Sequence, residues 1–132
     1  MTTRRNRRVQ ARPRPYVALL NAYDSNTSNT REDIAIPNKG KRIRVLRVRV
    51  VQETADGRRL YEVYFGTGSD ITTDPSKAID TLDIPDLSEA TSRTFLREEG
   101  PRGLRDEVLS GRWSGTPPAS VHKIMVEYTE ES

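Results

Sequence analysis

The chain is expected to fold as an all-β domain, an antiparallel β-sandwich or small barrel with long loops and an extended N-terminal arm. Three observations lead there. From Lys41 to Val51, apolar residues and arginines alternate with the two-residue period of a half-buried strand. Shorter runs rich in β-branched and aromatic residues recur at Leu60–Phe65, Ala90–Leu96 and Ser120–Tyr128. Between them, eight glycines and eight prolines supply the turn chemistry that many short strands need.

Residues 1–15 form the arm, and Pro13 and Pro15 favour extended backbone at its end. Tyr16–Tyr23 reads as the first strand of a single β domain spanning 16–132. Asp24–Gly40 is rich in Ser, Asn, Thr and Asp and reads as a long loop. In the strand that follows, the alternation slips at Val45-Leu46: Ile43 and Val45 share one parity, Val48 and Val50 the other. A β-bulge there returns all four apolar side chains to one face. Asp56-Gly57, set between two alternating runs, predicts a hairpin that pairs Arg42–Glu53 with Arg59–Phe65.

Beyond Gly66–Ser69, which reads as a turn, the signals weaken. Asp74-Pro75 is an N-cap followed by a favoured first helical residue, so Pro75–Leu82 reads as a short helix, with strand as the alternative over Ile79–Ile84. Ala90–Leu96 reads as strand, Gly100–Gly103 as turn, and Leu104–Leu109 as either. Gly111–Pro118 reads as a loop carrying the only tryptophan, and Ser120–Tyr128 as the last strand.

Charge is the main functional signal. The arm carries Arg4, Arg5, Arg7, Arg8, Arg12 and Arg14 and no acid, so of 22 bases in the chain 16 remain to face 19 acids in the body. A +6 peptide is thus tethered to a module of about −3, which is not the charge distribution of a uniformly basic nucleic-acid-binding domain. The arm is expected to bind an anion, whether phosphate or clustered protein carboxylate. An apolar fraction of 33%, below the roughly 45–50% usual for globular chains, predicts a thin core that gains from partners.

Chemistry by covalent or metal catalysis finds little support. There is no cysteine, and His122 is the sole histidine, without a nucleophile elbow elsewhere. Gly66-Thr67-Gly68-Ser69 lacks the lysine ending of a phosphate-binding loop. Asp70, Asp74, Asp80, Asp83 and Asp86 match no calcium-loop spacing, so neither metal nor cofactor is expected. No apolar run approaches membrane-spanning length and no secretion signal is evident, so no membrane partner is expected.

Arg42, Arg44, Arg47 and Arg49 would form a stripe on one strand face, with Tyr61 and Tyr64 across the hairpin and Glu53, Asp56 and Glu62 placed to neutralise it. Trp113, beside Arg112, reads either as an interface anchor or as a plug for one end of the sandwich. The expectation for the whole is a non-enzymatic structural protein of a viral or phage particle, a capsid decoration or stabilising protein. It would assemble in the host cytoplasm, reside in the virion among other virion proteins as part of a large assembly, and dock its arm on an anionic surface of neighbouring subunits. The rival expectation is a small nucleic-acid-binding module that grips phosphates with the arm and the arginine strand 42–49.

Overall fold

A computed structural model describes residues 19–26, 28–52, 57–85, 90–118 and 122–132. Eight strands follow in order: β1 (Leu20–Asn26), β2 (Glu32–Ala35), β3 (Arg42–Gln52), β4 (Arg59–Phe65), β5 (Ala78–Ile84), β6 (Ala90–Thr94), β7 (Leu109–Ser114) and β8 (His122–Glu131). They make two four-stranded antiparallel sheets, sheet A in the order β1-β8-β3-β6 and sheet B in the order β2-β7-β4-β5. The all-β sandwich expected from the sequence is therefore the fold, and it is not a closed barrel.

The pairing has a simple logic. β1 pairs with β8, β2 with β7, β3 with β6 and β4 with β5. These are the four rungs of one long hairpin, with alternate rungs lying in opposite sheets. Two further pairings, β3–β8 and β4–β7, close each sheet. That is the jelly-roll arrangement of an eight-stranded sandwich.

The long alternating strand behaves as its pattern requires. Ile43, Val45, Val48 and Val50 are buried, and the register against β8 shifts between Val45 and Arg47, so Leu46 is the extra residue of a bulge. The bulge is held by hydrogen bonds from Val45 N to Pro101 O (2.9 Å) and from Phe95 N to Leu46 O (2.8 Å). Gly100 sits so close that a Cβ there would lie 1.8 Å from the Val45 carbonyl oxygen. The facing sheet contributes Tyr61, Val63, Phe65, Leu82, Ile84, Leu109 and Trp113 to the same core.

Several local expectations need correction. The hairpin across Asp56-Gly57 does not form: β3 lies in sheet A and β4 in sheet B. Gly57 does adopt the left-handed φ of +83° that a reversal favours, but the chain changes sheets there instead of pairing back. Glu53–Asp56 lie outside the described residues. The 24–40 segment is not loop throughout, since β1 runs on to Asn26 and β2 occupies Glu32–Ala35. Of the first predicted strand, Tyr16–Ala18 lie outside the described residues. The helix at Pro75 lasts one 3-10 turn, Pro75–Lys77, capped by Asp74 accepting from Ser76 N, and the chain is then strand. Gly111–Pro118 is not a loop throughout either: its first half belongs to β7, a central strand of sheet B.

Candidate interaction face

The arm arginines Arg4, Arg5, Arg7, Arg8, Arg12 and Arg14 lie outside the described residues; their chain enters the fold at Leu19 and β1, the edge strand of sheet A. The other arginine cluster is on the same sheet. Because Ile43, Val45, Val48 and Val50 point inward, Arg42, Arg44, Arg47 and Arg49 of β3 project from the outer face of sheet A. On β8, Lys123, Met125 and Glu127 alternate with the buried Ile124 and Val126 and so share that face. Register aligns one row as Tyr23, Met125, Arg49 and Ser92 and the next as Asn21, Glu127, Arg47 and Thr94.

Charge divides between the two sheets. The strands of sheet A carry six Lys or Arg against four Asp or Glu, a net of +2; those of sheet B carry two against five, a net of −3. On sheet B, Asp83 receives two hydrogen bonds from Arg58 (2.8 and 2.7 Å), and Asp33 pairs with Arg31. Arg112 Nε donates to Glu62 Oε1 at 3.0 Å, and Ile71 N donates to the same oxygen.

Among the described residues the arginine stripe of sheet A is compensated by β8 and not by Glu62, which pairs with Arg112 on sheet B; Glu53 and Asp56 lie outside the described residues. Arg44 Nε donates to Glu131 Oε2 at 2.5 Å, and Arg102 Nη1 reaches Glu131 Oε1 at 3.2 Å. These bonds, that from Arg44 foremost, hold the Glu131 carboxyl below its ordinary range against the opposing effect of burial. Arg47 approaches Glu127 at only 4.0 Å. Arg42, Arg49 and Arg97 have no carboxylate partner among the described residues.

The tyrosines singled out by the sequence are elsewhere. Tyr61 is wholly buried in the core, and Tyr64, on sheet B, donates its hydroxyl to Gly68 O at 2.8 Å under the 66–77 connection. On the arginine face Tyr23 is 59% exposed, with the half-exposed Met125 between it and Arg49. Nothing in the local sequence marks Tyr23, because β1 and β3 are brought together only by β8. Across the same face runs a shallow cleft lined by Leu19, Leu46, Arg47, Phe95, Arg97 and Glu127.

Trp113 is fully buried, its ring edge-on to Tyr61 (4.8 Å between centroids) and to His122 (5.0 Å). It presents no surface to a partner, and Arg112 beside it is engaged by Glu62. Asp70 and Asp74 accept hydrogen bonds from their own turns, at Thr72 and Ser76; Asp86 lies outside the described residues. Among the described residues no three His, Cys, Asp or Glu side chains gather as a metal site, and no helix is long and apolar enough to cross a membrane. No protein-family model matches the chain, and no curated protein does either.

Proposed function

We propose that the protein is a non-enzymatic structural subunit of a viral or phage particle, of the decorating or stabilising kind, whose arginine arm docks on an anionic surface within that assembly. The observation that carries the reading is the strand order. Eight strands rolled into two four-stranded sheets recur in viral capsid proteins, in lectins and in cupins. Fold alone leaves function open, so the choice among these rests on the remaining features. A metal-centred reading finds little to work with, since the sole histidine is buried against Trp113 and among the described residues no three His, Cys, Asp or Glu side chains gather as a metal site. A lectin reading gives no use to six arginines placed ahead of the first strand. A particle subunit uses both parts: the roll supplies a rigid body, and the arm supplies the net positive charge for attachment that the body, at about −3, lacks.

The rival, a free-standing nucleic-acid-binding module, is favoured by Arg42, Arg49 and Arg97, which have no carboxylate partner among the described residues.

Sedimentation of the native protein from its source tests the proposal. The protein should travel in a particle far larger than a 15.0 kDa chain and be released by high salt or by removal of residues 1–15. A chain that travels as a monomer, or a truncated body that stays with the particle, refutes it.

A further inference from the structure

We infer that the outer face of sheet A is a binding surface for single-stranded nucleic acid, with the β3 arginines on phosphates and Tyr23 as a stacking platform. The inference goes beyond the particle reading, which concerns the arm, and assigns a ligand to the body's own sheet.

Three observations converge on this face. First, the positive charge available for a ligand is concentrated there. Arg42 and Arg49 stand on the stripe, Arg97 lines the cleft beside it, and none has a carboxylate partner among the described residues. Arg47 is held only loosely by Glu127. From Arg42 to Arg49 the stripe extends about 20 Å at ~3.3 Å per residue, allowing for the bulge, long enough to follow several successive phosphates of one strand.

Second, the arm joins the same sheet. Leu19 leads into β1 and lines the cleft with Arg47 and Arg97, so the chain that carries six further arginines departs from the border of the arginine face. Sheet B, whose strands are net negative, lies behind it.

Third, the face carries an exposed aromatic ring, and this favours nucleic acid over an acidic protein. A carboxylate can take only a hydrogen bond from the Tyr23 hydroxyl, whereas an unstacked base can also use the whole ring face. Tyr23 and Arg49 lie in one row with β8 between them, about 10 Å apart at the usual strand spacing. A strand running along β3 would set its phosphates on the arginines and turn bases toward Tyr23 and Met125. Among the body's own carboxylates, Asp33, Glu62, Asp83, Glu107 and Glu131 already hold internal basic partners.

The test uses the full-length protein, a fluorescent 30-nucleotide single strand and a salt titration. Arg49→Gln with Arg97→Gln should make the slope of log K against log salt shallower by about 1.4, which is about a 25-fold loss at 0.1 M salt. Arg49→Lys with Arg97→Lys should keep the slope. Tyr23→Ala should weaken binding about tenfold at every salt and leave the slope unchanged. Arg105→Gln removes an exposed arginine that lines a different cleft, shared with Asp33 of β2 in sheet B, and should change neither.

A wild-type slope in the Arg49/Arg97 glutamine variant would overturn the inference, as would undiminished binding by Tyr23→Ala. So would equal competition by poly-glutamate. Photocrosslinking of a bromouridine 30-mer to the unmodified chain provides a measure independent of the variants: crosslinks should include Tyr23, and crosslinks confined to residues 1–15 would overturn it. These readouts use naked oligonucleotide, so they can fail while the particle reading stands, and the sedimentation experiment can fail while these succeed.

Discussion

Replacing Trp113 by alanine should remove much of the domain's stability. The ring has no exposed surface, and it sits edge-on between Tyr61 and His122 at 4.8 and 5.0 Å. A tryptophan buries about 200 Å² or more, and at ~25 cal/mol per Å² this corresponds to about 5 kcal/mol of transfer free energy. Two edge-to-face contacts add about 0.5–1.5 kcal/mol each, while partial collapse of the cavity recovers some of the loss. The expected cost is about 4 kcal/mol, against a total of about 5–15 kcal/mol for a typical domain. Trp113→Phe, which keeps an aromatic edge against Tyr61, should cost about half as much. Because this is the only tryptophan, its fluorescence cannot serve both proteins, so urea unfolding should be followed by far-ultraviolet circular dichroism. A loss below about 1 kcal/mol would refute the core assignment and return Trp113 to an interface role.

Other outcomes follow from single contacts. Gly57→Val forces a β-branched residue into a φ of +83° and should cost about 1–2 kcal/mol in the same urea assay; a neutral result would mean that Gly57 does not hold that conformation. Glu131 is held ionised chiefly by Arg44, so its folded pKa lies below the unfolded one. Its contribution is present at neutral pH and disappears as acid protonates it, so the melting temperature of wild type should fall more steeply between about pH 5 and pH 2 than that of Glu131→Gln, and parallel curves would refute the pairing. Gly100→Ala drives a Cβ against the Val45 carbonyl and should cost about 3 kcal/mol or shift the bulge, visible as changed amide exchange at Val45 and Phe95. Replacing the six arm arginines with lysine should keep most of the salt dependence of anion binding but only part of the affinity, since lysine lacks the bidentate fork; full affinity would show that charge alone suffices.

What the sequence determined is everything that rests on neighbouring residues. Alternation over 41–51 specified a strand, and the phase slip at Val45-Leu46 specified a bulge, because an inward arginine in this core would cost far more than one unpaired backbone step. Asp74-Pro75 specified a helical start, and the run of strands between turn residues specified an all-β fold, sandwich or small barrel, between which the tertiary structure decided. The tertiary structure decided which strands are partners. A turn signal such as Asp56-Gly57 reports that the chain reverses, but pairing back and crossing to the opposite sheet begin with similar backbone. The choice depends on burying both apolar faces at once, which no local window contains. That choice moved Tyr61 and Trp113 into the core and gave the arginine stripe Glu127 and Glu131 as neighbours. It also put Tyr23 in line with Arg49 through Met125, across two strand pairings that each link residues far apart in the chain. The arginine face was legible as residues, but as a surface it exists only because β8 returns between β1 and β3.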